Sequence, residues 1–484
     1  MIKLFRQFDE FFMLLLLLIF AVILVYFIPV SLNRLVFVLF LIPVWFSKKD
    51  YFWYAFILLI LEHPGGLFSG GTLADPFRLP LYTLYPRVSF GFEELYVLLI
   101  LLKFLLSNKL NVLKTFAFKR QFQVLGVLLI ILLIVSLLLG MSAVSLRNAY
   151  KTLINLSLYF SAIFIFRKEE DIISFFKALF PFVFFALFLQ VYDITQHQQV
   201  VALLKPGITT TQGVLSGELM RPIEMSVALM ITLAGSFLFL GTGSKYFSRN
   251  YLILINVTAI LSILMTATRS WFMGFAAMYL FYFILNKKFI KRNVFYASLG
   301  IVFAITILLL LPSIETQVKQ AWSRLETIEE LAKGDITAGG TLSRLTVRGP
   351  RVMEGFRKSS ILFGAGFSNL YYEYGDGHVG YQNILLHSGI IGFLLLFLFA
   401  FRLYSKPYRL SLKTSIPDLK YILRNLPLVL PAVLIINSGT QFWGYNVSDI
   451  SRVMFLGFYI SIVSVYLNKH KYMIETARFE HSIK

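Results

Sequence analysis

The residues of this chain that could do chemistry stand where its apolar runs end. Arg269 lies in LMTATRSWFMGF, between apolar runs at 251–267 and 271–286. So short a spacer puts it at or just inside a membrane surface. There a guanidinium is costly unless it faces a cavity or an anion; otherwise it snorkels from a tight helical hairpin. Arg221 lies in GVLSGELMRPIEMSVALM, directly before Pro222 and Glu224, which together signal a helix start near Pro222. A cation beside the positive end of a helix dipole suits an anionic ligand, and pairing with Glu218 or Glu224 is the simpler alternative. His378 opens the apolar part of GDGHVGYQNILLHSGIIGF (Gly375–Phe393), flanked by glycines and with Asp376 two residues earlier. Imidazole titrates near neutral pH and can act as a general base, with Asp376 to orient it. His387, deeper in the apolar run, suits a structural role.

A second group of cations, Arg344, Arg348, Arg351 and Arg357, lies in LSRLTVRGPRVMEGFRK. Spread along one helix they would form a solvated face. Their planar forks of donors equally match phosphate.

The elements that must hold these residues are membrane helices. Hydrophobic residues make up 58% of the 484, and only 14% are charged; the mean hydropathy is +0.75. A soluble domain carries about a quarter charged residues, so this composition is that of an integral membrane protein. Long uncharged apolar runs indicate helices and not a β-barrel, whose strands alternate. The run at 11–28 is followed by no small-residue cleavage site and is expected to be an uncleaved first helix. Further runs near 33–46, 51–62, 92–107, 122–140, 152–166, 173–192, 224–241, 251–267, 271–286, 294–312, 381–401, 424–440 and 450–468 predict an all-α polytopic protein. A full span needs about 20 residues, and the expected count is about 12 to 14 transmembrane helices. Residues 1–312 form the first bundle, 313–380 one large polar loop or lid, and 381–484 the C-terminal helices with a short tail.

Lys and Arg gather in alternate loops, including 48–49, 109–120, 167–168, 245–249, 287–292 and 402–424, and at both termini. The positive-inside rule makes that face cytoplasmic. Arg221, Arg269 and His378 then lie on the opposite, periplasmic face, where no ATP or nucleotide sugar is available. The net charge of +20 follows from the same rule, and also suits anionic lipids or a diphosphate-bearing substrate. Because the basic residues are dispersed among spans, nucleic acid is not an expected partner. The chain has no cysteine, which excludes thiolate chemistry, and its six histidines show no metal-ligand spacing. Walker, dinucleotide-binding, HExxH and GxSxG motifs are missing as well.

Three stretches, taken in order, resemble the bacterial O-antigen ligase and O-antigen polymerase superfamily. TATRSWFMGF is similar to its Thr/Ser-Arg element at a helix junction, with Arg269 in the arginine position. SRLTVRGPRVMEGFRKSSILFGAGFSNL is similar to the start of its large outer loop, including a Gly-x-Gly turn at Gly364–Gly366. HVGYQNILLHSGIIGF is similar to its His-led segment, with His378, Tyr381, Leu385, Gly389 and Gly392 in place. The likeness covers about Arg221 to Phe393 best.

The resemblance implies the O-antigen ligase fold in the bacterial inner membrane, with both termini cytoplasmic and the active site facing the periplasm. It implies transfer or polymerisation of an undecaprenyl-diphosphate-linked glycan, with no metal or other cofactor. Arg221 and Arg269 would grip the diphosphate, His378 would deprotonate the acceptor hydroxyl or orient it, and Arg344 and Tyr381 would contact donor or acceptor. The acceptor would be a growing glycan or lipid A-core, with a chain-length regulator as a further partner beside membrane lipids. Two arginines on a departing diphosphate would stabilise the charge that develops in the transition state. The alternative is a lipid-linked oligosaccharide flippase, against which stand the long outer loop and the lack of visible repeats. A peptidoglycan-polymerising transferase would need an outer-loop carboxylate, for which only Asp335 and Asp376 are available.

Overall fold

A computed structural model of the chain describes residues 2–62, 83–85, 88–89, 91–107, 111–196, 198, 200–204, 225–243, 245–266, 268–287, 315, 319, 344–447 and 449–483. Its helices are α1 (Ile2–Phe27), α2 (Val30–Leu39), α3 (Leu41–Phe46), α4 (Asp50–Leu61), α5 (Phe92–Leu106), α6 (Asn111–Thr115), α7 (Lys119–Leu138), α8 (Ala143–Ile165), α9 (Glu169–Leu179) and α10 (Phe182–Gln196). They continue as α11 (Val200–Leu204), α12 (Ser226–Phe239), α13 (Arg249–Met265), α14 (Arg269–Leu285), α15 (Gly349–Lys358), α16 (Asn369–Tyr374), α17 (Gly380–Lys413), α18 (Pro417–Asn425), α19 (Val429–Gly439) and α20 (Ile450–Ile483). A two-stranded antiparallel ribbon, β1 (Thr83–Tyr85) with β2 (Val88–Ser89), stands apart from this helical plan. It falls in the Gly- and Pro-rich stretch between α4 and α5.

Among the described residues, six stretches are long and apolar enough to cross a membrane: Asp9–Phe27, Lys119–Leu138, Glu169–Gln196, Gly380–Lys413, Pro417–Gly439 and Ile450–Met473. Shorter apolar helices stand beside them, among them Asp50–Leu61, Ser226–Phe239 and Arg249–Met265. The chain is therefore an all-α, multi-pass membrane protein. Each expected apolar run coincides with helix except 294–312, which lies outside the described residues, as does most of 313–343.

Basic loops from distant parts of the chain meet at one end of the bundle. Lys49 pairs with Glu10 (3.2 Å), and the half-buried Lys103 ammonium is held by Asp50 (2.5 Å) and by the carbonyls of Val44 and Ser47. Lys469 pairs with Glu169, whose other oxygen accepts from Tyr246 (2.8 Å), and Lys406 donates to the Ala117 carbonyl (3.2 Å). The other end is capped by α15, α16 and the turns around them.

One feature of α17 decides how that cap is attached. The helix is broken at Gly389 (φ 64°, ψ −171°). A break within a span exposes helix-end carbonyls and N–H groups that lipid cannot satisfy. Here the chain itself satisfies them. Ala365 and Gly366 donate to the carbonyls of Leu386 and His387 (2.7 and 2.8 Å), and Ile390 and Ile391 donate to those of Ile361 and Leu362 (3.0 and 3.1 Å). The Gly364–Gly366 turn is thus threaded into the broken helix. It also reaches α7, where the Phe367 N–H donates to Ser136 Oγ (2.6 Å). Asn369 then fastens the start of α8, its Oδ1 accepting from Ser142 N (2.7 Å) and Ser145 Oγ (2.8 Å).

Candidate functional site

His378 sits on the short loop between α16 and α17, and its side chain is exposed. Two of the four arginines upstream brace that loop. The N-terminal turn over Arg344–Arg348 runs into α15, and Arg348 pairs with Asp376 (3.7 Å). Arg351 donates to the carbonyls of Glu373 and Gly375 (both 3.3 Å). The Asp376 carboxylate accepts from the His378 backbone N–H (2.9 Å), so it shapes the turn that carries the imidazole. Asp376 N donates to Asn383 Oδ1 (3.2 Å), and Gln441 N donates to the Gly377 carbonyl (3.0 Å). The loop is thereby tied to α15, α17 and the α19–α20 connection together. Behind it, Gly380 lies so close to α19 that a Cβ would fall 2.0 Å from the Asn437 carbonyl oxygen.

Arg269 is the first residue of α14, across a tight turn from α13, as its position between two apolar runs predicts. Its side chain lies outside the described residues, as does that of Arg344, and Arg221 lies outside them altogether. The backbone nonetheless locates the start of α14. Gly274 abuts Ile436 and Ala432 of α19, and Trp271 meets Phe442 edge-on at 5.8 Å. The start of α14 and the His378 loop therefore adjoin the same Thr440–Trp443 segment. Arg452 of α20 fixes that segment, donating to Thr440 Oγ1 (3.1 Å) and the Gln441 carbonyl (2.7 Å). Its guanidinium lies over Phe442 and pairs with Asp449 (3.1 Å).

Tyr381 faces α19: its hydroxyl donates to the Leu434 carbonyl (2.5 Å), and its ring packs against Phe397. His387 is 1% exposed, its ring boxed by Phe367, Tyr371 and Tyr445, which agrees with the structural role expected for it. Burial pushes the Tyr371 hydroxyl above the usual phenol range, while hydrogen bonding from Gln441 and Asn446 pulls it partly back. On α15, the Lys358 ammonium is held above its ordinary value by Glu354 and then by Tyr374.

The helix expected to start near Pro222 starts at Ser226, and its N-terminus already holds an anion from the chain. The buried Glu62 carboxylate accepts from the backbone N–H of Val227 and of Ala228 (3.0 Å). A carboxylate at a helix start satisfies donors that would otherwise be orphaned and complements the dipole. Glu62→Ala is expected to cost about 2 kcal/mol, the usual penalty of stranding buried donors. The measurement is a detergent-solubilised melting curve; an unchanged Tm would remove Glu62 from this role.

Several residues that build the site carry no motif. Glu62 and Gln441 act through partners far away in the chain, and Asp449 and Arg452 through partners across a turn. Only Glu62, a carboxylate ending an apolar run, offers a local signal. Arg348 and Arg351 were legible as cations but not as braces for the His378 loop. No family model matches the chain, and no curated protein matches it.

Proposed function

We propose that the chain is a membrane glycosyltransferase that moves a lipid-diphosphate-linked glycan onto a hydroxyl acceptor. In this reading it lies in a bacterial cytoplasmic membrane with about 12 to 14 spans and both termini inside, and it works on the outer face. The observation that carries the reading is the adjacency just described: the start of α14, which bears Arg269, and the His378 loop both pack on Thr440–Trp443. The order of the three motif stretches supports the same conclusion.

In the reaction, His378 takes the proton of the acceptor hydroxyl. The oxygen attacks the anomeric carbon and the bond to the diphosphate breaks, inverting the centre. The lipid diphosphate leaves as an anion, and Arg221 and Arg269 stabilise its growing charge. The cleaved diphosphate ester supplies the driving force. The braces on the His378 loop give the base a fixed position, which is what orientation contributes to rate.

The test is a reconstitution. Purified protein is incubated with lipid-linked glycan units, alone and with a lipid A-core acceptor. Lengthening of the units alone identifies a polymerase. Transfer only when the acceptor is present identifies a ligase. No transfer in either arm, with lipid flipping in proteoliposomes, would replace this reading with a transporter.

A further inference from the structure

α8 carries two cations that the site above does not use. Arg147 and Lys151 stand one turn apart, and Asn155 continues the row. Burial deepens along it: Arg147 and Lys151 are partly buried and Asn155 is 6% exposed. Farther along, Leu158 and Ala162 border Gly457 of α20, whose added Cβ would sit 3.4 Å from the Leu158 carbonyl oxygen and 3.1 Å from Ala162 Cβ. The row therefore faces the bundle. From the helical rise, Arg147 lies about 6 Å and Lys151 about 12 Å inside the start of α8. That start is the one fastened by Asn369, at the capped end.

Charges at such depth are costly unless they are paired or face a polar cavity. Neither residue has an ion pair among the described residues, and Arg147 Nε is buried with no hydrogen-bond partner. Among the described residues, the carboxylates of this end have partners other than these two cations, and Glu94 at the start of α5 accepts from the Gly91 N–H (2.7 Å). Glu62 caps α12, Asp449 pairs with Arg452, and Asp376 pairs with Arg348 and the His378 backbone. A guanidinium fork one turn from an ammonium is a donor set that suits phosphate.

We infer that Arg147 and Lys151 form a binding site for a phosphate ester, entered from the capped end between α8 and α20. The ligand is a phosphate or diphosphate, free or borne by a lipid. The inference stands whether or not the chain transfers glycans, because it rests only on two cations in the bundle that have no ion pair among the described residues.

The test uses the full chain in non-ionic detergent and two probes. Inorganic pyrophosphate is followed by equilibrium dialysis and phosphatidylglycerol by native mass spectrometry. The unmodified protein is expected to bind at least one probe and to melt higher in its presence. Arg147→Gln and Lys151→Gln should each weaken that binding about tenfold. Lys413→Gln, which alters an exposed cation at the end of α17, should leave it unchanged. Pyrophosphate binding assigns a free anion, and phosphatidylglycerol binding alone assigns a lipid headgroup. Without ligand, the glutamine variants should melt no lower than the unmodified protein, since the cations they remove have no ion pair among the described residues. Absence of binding to either probe, equal binding by the glutamine variants, or a lower melt without ligand would overturn the assignment.

Discussion

Replacing Gly389 with valine is expected to destabilise the protein by about 4 kcal/mol or more, at the far end of what single substitutions do. Three costs fall together. The residue sits at φ 64°, where a β-branched side chain is strained. An added Cβ would lie 2.3 Å from the Leu362 carbonyl oxygen, which is backbone and cannot swing away. Opening the contact would also release the four backbone hydrogen bonds between 361–366 and the broken helix, at a depth where lipid offers no replacement. The result should be little monodisperse protein after mild heating, read by size-exclusion chromatography. Gly126→Ala is the control: it is also a glycine within a span, but nothing lies within 4 Å of its added Cβ. A Gly389→Val protein that melts with the control would show that the break does not hold the cap.

His378→Ala is expected to lower the rate of glycan transfer by about 10²- to 10⁴-fold, the usual contribution of a positioned general base. The imidazole is exposed, so the variant should fold and melt as the unmodified protein does. Donor binding should change little, because the base touches the acceptor hydroxyl and not the diphosphate; the loss should fall on kcat. Transfer at the normal rate by the alanine variant would eliminate His378 as the base. A loss confined to KM for the acceptor would make it a binding residue instead.

The two substitutions test different levels of one design. Gly389 holds the cap to the bundle, and the cap holds the His378 loop through Arg348, Arg351 and Gln441. A defect in Gly389 should therefore remove folded protein, whereas a defect at His378 should remove only chemistry.

Much of the helical plan was legible without coordinates. Runs such as 122–140 and 450–468 form α7 and part of α20 because an uncharged run of that length can satisfy its backbone in lipid only as a helix. The tight turn before Arg269 was legible for the same reason: two adjacent runs leave no room for a longer connection. The start of α12 was not. Pro222 and Glu224 are local signals, but the helix begins at Ser226, where a carboxylate from the end of α4 caps it.

The glycines show where the division falls. The resemblance alone suggested a turn at Gly364–Gly366, and nothing in the sequence marked Gly389 as a break; all three reach positive φ, which glycine does without strain. Sequence alone did place His378 at the end of a polar stretch before a span. Only the tertiary structure decided that the Gly364–Gly366 turn fills the break at Gly389, and that Arg348, Arg351, Gln441 and Arg452 hold the His378 loop and its neighbouring segment. Those facts depend on which distant backbone groups meet. Helix periodicity follows from nearest neighbours along the chain, but the pairing of a broken helix with a loop is settled by close packing and by the cost of leaving a polar group unmet in lipid.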